Sequence, residues 1–524
     1  MQLNILFITA DQWRGDCLGV AGHPQLKTPH LDTLAADGCY FKQHFAQAVP
    51  CGPSRTCLYT GMYLNNHRSL LNGTPLDSRH TNVALEARKV GYSPALFGYT
   101  DVGLDPRQFH PGDPNTRNYE GVLPGMDPIA HVNGQGLPWL AFLKEKGYQV
   151  PESANDMLNP AAEDTHPDKG KTFAPARFKA EHSRSAFLVD EAIRYLSVRE
   201  KESWFIHLSF LSPHPPFIAP EPYNSQYQAE DMPLPVRRDT MEEEASQHPW
   251  LKHYLYNQKG TPYTAGANPA DVPKLSDLEL RQTKATYLGM MSEIDDQLGR
   301  LFQHLKERQL YDDTLIIFTS DHGDLMGEHW MFSKASYYEQ AFHVPLIVRH
   351  PKAEQRGAVV DAFTESVDIM PTILKSIDLP IPRQCVGGSL LPFIHGKSPQ
   401  NWREEYHAEF DLRCPDELGD APPLGLKVKQ CGANIIRGKR YKYVHFSGLP
   451  ALFFDLQEDP NEQQDLSKDP NYQGLMLEYT HKLINWRMEH DEPSLTHLYL
   501  HDDGVVEIAQ EEHADDVETL AKVI

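Results

Sequence analysis

Residues 3–12 read Leu-Asn-Ile-Leu-Phe-Ile-Thr-Ala-Asp-Gln, an apolar, β-branched run that stops at an acid and an amide. A continuous apolar run of this length, without alternation, is the pattern of a strand buried on both faces. The pattern recurs at Trp204–Leu211 (WFIHLSFL) and Thr314–Ser320 (TLIIFTS), and in shorter form at Ala95–Gly98 and Pro345–Val348. Helical periodicity lies between these runs. Tyr287, Met291, Ile294, Leu298, Leu301 and Leu305 alternate steps of four and three, which predicts one long helix from about Thr283 to Arg308. Shorter helices are expected at His30–Gly38, stopped by Gly38, and at Pro53–Thr60, with Pro just inside the start and Gly61 just past the end. Strands alternating with helices predict an α/β chain: a large, mostly parallel sheet sandwiched by helices.

Residues 101–180 and 218–280 are rich in Pro, Gly, Asp and Asn and read as long surface excursions. From about 381 the texture changes. Asn434–Arg437 and Tyr441–Phe446 are candidate strands and Tyr472–Arg487 a candidate helix, so 381–487 is expected to form a smaller C-terminal α+β domain after a catalytic domain at 1–380. Residues 488–524 are acidic and weakly patterned. They read as a C-terminal arm, an expected oligomer contact in a homodimer or homotetramer.

Composition excludes several function classes. An apolar share of 40% with 23% charged residues is globular rather than disordered over 524 residues. A net charge of −23 argues against nucleic-acid binding. No apolar run approaches membrane-spanning length, so no membrane partner is expected. The opening MQLNILFITADQ lacks a basic n-region and a small-residue cleavage site, so no signal peptide is read. Seven cysteines are an odd count at low density and point to a reducing compartment, hence to the cytoplasm.

Three polar sites fall where buried strands end: Asp11-Gln12, His214 and Asp321-His322. In open parallel sheets ligands bind beyond the carboxyl ends of the strands, so these loops are expected to converge. One aspartate at a strand end is commonly a helix cap; acids and imidazoles at three strand ends together point to a metal. The segment Val49-Pro50-Cys51-Gly52-Pro53-Ser54-Arg55 is more specific. Cys51 lies at the expected N-cap of a short helix, where free N–H groups and the dipole favour anions. Arg55, one turn on, offers a planar fork for a tetrahedral oxyanion. Finding Pro, Ser and Arg at fixed offsets from a given Cys has a chance of roughly 10⁻⁴ at average usage. Residues 51–90 hold Arg55, Arg68, Arg79, Arg88 and Lys89 against Asp77 and Glu86, a local +3 that fits an anionic substrate. The other six cysteines, Cys17, Cys39, Cys57, Cys385, Cys414 and Cys431, show no metal spacing and read as ordinary thiols. His343 and His350 read as structural.

Cys51-Gly52-Pro53-Ser54-Arg55, followed by Leu58-Tyr59-Thr60-Gly61, resembles the C-x-P-S-R signature of the type I sulfatases, members of the alkaline phosphatase superfamily. Residues 4–12 resemble that family's opening strand and metal loop, and 319–329 (TSDHGDLMGEH) its second metal loop. Residues 367–372 (VDIMPT) and 454–462 (FDLQEDPNE) resemble its later landmarks. Two features narrow the branch. Gln12 and His322 stand where many sulfatases carry oxygen ligands, and the segments 66–68, 75–80 and 98–107 look most like the phosphonate monoester hydrolases. Asp101 departs from that branch, which tends to carry Thr there; a carboxylate beside the pocket disfavours a dianionic ester.

The resemblance implies a mechanism. Cys51 is oxidised by a formylglycine-generating maturation enzyme to formylglycine (3-oxoalanine), whose hydrate is the nucleophile. Asp11, Gln12, Asp321 and His322 hold one divalent ion together with an oxygen of modified Cys51; the imidazole favours Mn2+, with Ca2+ as the alternative. Arg55 and Lys334 neutralise the equatorial oxygens of the ester, and His214, with Lys334 as the other candidate, donates a proton to the leaving alcohol. Asn72, Tyr99 and Asp101 contact substrate. The expected reaction is hydrolysis of small anionic esters: sulfate monoesters first, with phosphonate monoesters and phosphodiesters as additional or main substrates. A choline-sulfatase-like enzyme, a two-metal phosphomonoesterase and a silent binding protein on the same scaffold are the competing readings.

Overall fold

The structure is a computed structural model that describes residues 2–160, 168–199, 202–258, 274–414, 419, 421–501 and 504–507. Its first strand, β1 (Asn4–Ala10), is buried along its whole length. Alternate residues face opposite sides: Leu6, Ile8 and Ala10 enter one apolar core, Ile5 and Phe7 another. In chain order there follow β2 (Cys39–Phe45), β3 (Ala48–Val49), β4 (Ala95–Gly98), β5 (Asp127–His131), β6 (Phe205–Phe210), β7 (Thr314–Thr319), β8 (Leu346–Arg349) and β9 (Ala358–Glu365). The large sheet has eight strands in the order β5-β4-β6-β1-β7-β8-β2-β9. Only β8 runs against its neighbours. The chain leaves β7 at its carboxyl end, folds the Asp321–Val344 loop at that end, and so must re-enter the sheet in the opposite sense.

Helices cover both faces. Pro29–Ala36, Arg184–Ser197 and Asp277–Glu307 lie on the side of Leu6 and Ile8; Cys51–Thr60 and Ile369–Ser376 lie on the side of Ile5 and Phe7. The long helix keeps its expected stripe buried but starts earlier, at Asp277. Its start is set by a capping box, in which Ser276 accepts from Glu279 N–H and the Glu279 carboxylate accepts from Ser276 N–H. That polar signal precedes the apolar repeat.

The expectation that 101–180 and 218–280 are surface excursions needs correction. They supply β5, the helix Leu137–Glu145 and the helix Pro249–Asn257. Trp139 and Trp250 are fully buried. Trp250 packs against Tyr337 and edge-on to Phe410 at 5.2 Å. Frequent Pro and Gly disguised short elements whose few large apolar residues do the packing. Residues 161–167 and 259–273 of these stretches lie outside the described residues.

A second, five-stranded sheet contains β10 (Tyr406–Asp411), β11 (Gly432–Arg437), β12 (Tyr441–Phe446) and β13 (Leu452–Asp455). Its order is β13-β12-β11-β10-β3, antiparallel except for the parallel β10–β3 pair. The fifth strand is thus Ala48–Val49, from the amino-terminal part of the chain and two residues before Cys51. The helix Gln473–Glu489 covers this sheet with Tyr479, Leu483 and Trp486. Beyond it, β14 (Leu498–His501) and β15 (Gly504–Glu507) form a hairpin, and residues 508–524 lie outside the described residues.

The two late landmarks are joints. Asp368 accepts from Glu365 N–H at 2.7 Å and Gly388 N–H at 2.9 Å and pairs with Arg403. Glu462 accepts from Glu339 N–H at 2.8 Å and pairs with Lys442, both side chains fully buried. Breaking one partner of such a pair strands a charge, whereas removing both does not. Glu462→Ala is therefore expected to lower stability by about 3–5 kcal/mol, and the double variant Glu462→Leu/Lys442→Met by much less. Chemical denaturation checks this; equal losses for both would contradict it.

Candidate active site

Four neighbouring strands of the large sheet, β4, β6, β1 and β7, end level with one another. Thr9 pairs with both Ser209 and Thr319. The residues just past these ends meet. Asp11 and Gln12 follow β1, Tyr99 and Asp101 follow β4, His214 follows β6, and Asp321 and His322 follow β7. Gln12 takes a left-handed backbone conformation, φ 68°, a costly state for a residue with a side chain and one that functional sites often hold.

Cys51 is the first residue of the helix Cys51–Thr60, and Pro50 is the cap. The expected start at Pro53 with Cys51 as the cap is thus two residues late. Asn72 Oδ1 accepts from Gly52 N–H at 2.9 Å and fixes this first turn. A side chain at Gly52 would press on Asn72 Oδ1 and the Asp101 carbonyl, both at 3.2 Å. At the far end Gly61 adopts φ 67° and closes the helix on the Cys57 carbonyl.

Asp11, Cys51, Asp321 and His322 present ligand atoms that all lie within 4.8 Å of one another. His322 Nδ1 faces the Gly323 carbonyl at 3.0 Å, which assigns the proton there and leaves Nε2 with its lone pair. Nε2 lies 3.2 Å from Cys51 Sγ and 3.8 Å from Asp11 Oδ1 and Asp321 Oδ2. Asp11 Oδ1 is buried with no hydrogen-bond partner among the described residues. A buried carboxylate oxygen in that condition fits a cation. Two carboxylates, an imidazole and a residue at Cys51 make a donor set suited to one divalent ion. Gln12 Oε1 accepts from Lys334 Nζ at 3.0 Å, and the amide nitrogen donates to Asp324.

Arg55 departs from expectation. It is fully buried, does not line the cavity, and has all five N–H donors matched within the protein. Nε donates to Asp321 Oδ2 at 2.8 Å and Nη2 to Asp11 Oδ2 at 3.1 Å. Nη2 also reaches the Tyr99 hydroxyl at 2.9 Å, and Nη1 reaches Ser209 Oγ at 2.9 Å and the Tyr99 carbonyl at 3.4 Å. The guanidinium stacks 4.2 Å from the Tyr99 ring centre. No donor is left for an ester oxygen, so Arg55 holds the carboxylates from behind. Burial would raise the Asp11 pKa, but His214, Arg55, His322 and Lys334 hold it well below the usual carboxylate range.

A cavity of about 590 Å³ opens over this group. Asp11, Cys51, Asn72, Tyr99, Asp101, His214 and Lys334 of the expected residues line it; Gln12, Asp321 and His322 do not. His214 Nδ1 pairs with the Pro215 carbonyl at 2.7 Å, and its Nε2 accepts from Lys334 Nζ at 3.2 Å. Burial and then Lys334 lower the His214 pKa to about 4, so the imidazole is uncharged at neutral pH. Burial, then Asp11, pushes the Cys51 thiol well above its ordinary value, so the unmodified residue is a poor nucleophile. Burial raises Asp101 to about 7.

The local positive charge at 51–90 does not survive folding. None of its five cations lines the cavity. Arg55 lies beneath it, Arg88 pairs with Asp127, Lys89 with Glu86, and Arg79 faces Asp77. Helical and loop geometry turns neighbours in sequence to different sides. Three contributors were not singled out as site residues from the sequence. Asp324 holds Gln12, Tyr287 donates to the Gln12 carbonyl at 2.6 Å, and Ser209 braces Arg55. Only the recurrence of acids in Asp321-His322-Gly323-Asp324 pointed towards the first. Added Mn2+ is expected to stabilise the protein by about 2.7 kcal/mol at a hundredfold excess over Kd, and Asp11→Asn to abolish that rise in Tm. An equal rise in the variant would remove Asp11 from the metal site.

Residues 3–379 match the Sulfatase family, and residues 327–489 match the C-terminal region of N-sulphoglucosamine sulphohydrolase. The chain is 40% identical over 502 residues to the multifunctional alkaline phosphatase superfamily protein PehA of Trinickia caryophylli, covering 94% of this chain and 97% of that one. It superposes on the phosphonate monoester hydrolase of Agrobacterium radiobacter with a TM-score of 0.92 at 40% identity, over 97% of this chain and all of the other. The phosphonate monoester hydrolase SpPMH of Silicibacter pomeroyi gives 0.90 at 35% identity, over 97% and 99%. With its strand-end acids, its Cys51 helix and the extent of these matches, the chain is a hydrolase of the sulfatase family with the alkaline-phosphatase-like fold.

Proposed function

We propose that the protein is a formylglycine-dependent, divalent-metal hydrolase of singly charged tetrahedral esters. Phosphonate monoesters and phosphodiesters are the main substrates and sulfate monoesters share the pocket. The observation that carries this reading is the position of Cys51. It lies at the first turn of a helix, 3.2 Å from His322 Nε2, in the wall of the cavity, with a thiol too basic to act as it stands. The order of substrates differs from the sequence reading, which put sulfate first. The similarity to phosphonate monoester hydrolases along nearly the whole chain supports the change.

A divalent ion held by Asp11, Gln12, Asp321 and His322 would supply Lewis acidity to the nucleophilic hydroxyl and to the ester oxygens. Cys51, once converted to formylglycine by a maturation enzyme, would supply a hydrate oxygen as nucleophile and a release route needing no second attack at phosphorus or sulfur. The chain's own residues arrange the rest. Arg55 keeps Asp11 charged and, by hydrogen-bonding both, fixes the rotation of Asp11 and Asp321. Asn72 pins the first turn of the Cys51 helix, so its free N–H groups and dipole face the anion. Lys334 neutralises charge on the ester and, with His214, holds the proton that the leaving alcohol requires. Asp101, in the cavity wall, repels dianions.

All three favoured ester classes carry one negative charge at neutral pH, whereas phosphate monoesters carry two. Asp101→Asn is expected to raise aryl phosphate turnover relative to aryl phosphonate turnover roughly tenfold. Because Asp101 titrates near 7, the wild type should discriminate more strongly as pH rises through that value, when its carboxylate is charged, than the variant does. A ratio indifferent to the substitution would remove Asp101 from specificity. Mass spectrometry of the tryptic peptide Gln43–Arg55, from protein co-produced with a formylglycine-generating enzyme, tests the nucleophile. Cys51 is expected to appear as formylglycine, and Cys51→Ala to abolish turnover. An unmodified thiol in an active preparation sinks the proposal.

Seven free, buried cysteines suit a reducing compartment, and we infer the cytoplasm. Self-association through the carboxyl-terminal region is inferred from the exposed Leu477, Ile484 and Met488 on the helix Gln473–Glu489. Light scattering is expected to give a dimer or tetramer; a monomer refutes it.

A further inference from the structure

Arg184 is unusually placed for a cation. It is 7% exposed and lines the same cavity as Cys51. It makes no ion pair or hydrogen bond among the described residues, and its Nη1 is wholly buried without a partner. It is the first residue of the 14-residue helix Arg184–Ser197, where the helix dipole opposes a positive charge. Two carboxylates line the cavity nearby; neither accepts a hydrogen bond from the guanidinium, and Glu120 acts on it only at a distance. Glu293 accepts from Ser183 Oγ at 2.6 Å and Ser185 Oγ at 2.8 Å, the residues on either side of Arg184. Glu120 accepts from Gly134 N–H at 3.1 Å. The Trp139 ring lies 5.1 Å from the guanidinium, and Tyr99 and Glu120 act on it electrostatically without a hydrogen bond. Burial lowers its pKa to about 10, which leaves it charged at neutral pH.

A buried, unpaired charge at the positive end of a helix is destabilising three times over. A ligand anion would relieve each cost at once: it would pair with the guanidinium, complete its hydrogen bonds, and sit at the amino end of the helix. We propose that Arg184 forms a second oxyanion subsite in the cavity, taking a compact carboxylate or phosphoryl group carried by the substrate at a distance from the ester that is cleaved. Such a substrate is an ester with two anionic ends, one held over Cys51 and the other by Arg184. The inference rests on the functional reading above for the identity of the reacting end.

Calorimetric titration of 3-carboxyphenyl and phenyl esters of one phosphonic acid into Mn2+-loaded Cys51→Ala protein tests it without turnover. The carboxylated ester is expected to bind roughly 10- to 100-fold tighter, and this ratio to fall to near one in the Cys51→Ala/Arg184→Met protein and to be partly restored by Arg184→Lys. Free benzoate in excess should compete with the carboxylated ester in the first protein, which separates a carboxylate site from a general effect of ring polarity. Arg184→Met is also expected to leave Tm unchanged or higher. A ratio near one in both proteins, or one unchanged by the substitution, overturns the proposal. So does a fall in Tm with no change in ratio, which would make Arg184 a brace for Trp139. Turnover by the matured wild type is measured separately. Loss of both esters there would refute the reaction class, while the binding ratio would still decide Arg184.

Discussion

One guanidinium organises the site. Arg55 reaches Asp11 after β1, Asp321 after β7, Ser209 within β6 and Tyr99 after β4, and so ties together the ends of four adjacent strands. Two carboxylates close together in a water-poor interior repel each other. A planar cation with donors spaced for carboxylate oxygens offsets that repulsion and fixes their rotation. With Arg55 gripping one side, Asp11 Oδ1 and His322 Nε2 turn towards Cys51. The arrangement divides the work: Arg55 neutralises from below and the cavity approaches from above.

Cys51 lies where the two sheets meet. Ala48–Val49 close the five-stranded sheet against Glu409 and Phe410, and two residues later Cys51 opens its helix. The smaller sheet therefore anchors the chain directly before the first turn of the Cys51 helix, while Asn72 anchors it directly after. The buried Lys442–Glu462 pair and the Asp368–Arg403 pair hold the surrounding segments in register. A shift between the sheets would move Cys51 relative to Asp11, Asp321 and His322, which follow strands of the large sheet.

Much of this was legible in the sequence because the relevant signals are local. Buried parallel strands write themselves as unbroken apolar runs, so β1, β6 and β7 were found within one residue at either end. Strand ends in such sheets converge by topology, so Asp11, His214, Asp321 and His322 could be grouped before any coordinates. The missed elements have weaker local patterns. β2 carries Lys42, Gln43 and His44 in its second half, and the helix Pro249–Asn257 is short and begins with proline. Their identity depends on partners far away in the chain, such as Tyr337 and Phe410 around Trp250.

By itself the sequence determined the α/β class, the order of the catalytic loops and the chemical kinds gathered in them, because periodicity and strand-end position are properties of short stretches. Only the tertiary structure decided which way each charge points. It turned Arg55 from a substrate fork into a clamp on two carboxylates and set Lys334 Nζ against His214 Nε2. It removed the apparent positive charge of 51–90 from the cavity and left Arg184 there instead, buried and without a hydrogen-bond partner among the described residues. The reason is geometric. Electrostatic partners are chosen across the fold within a few ångströms, and neighbours along a helix or a loop diverge to different faces within two or three residues.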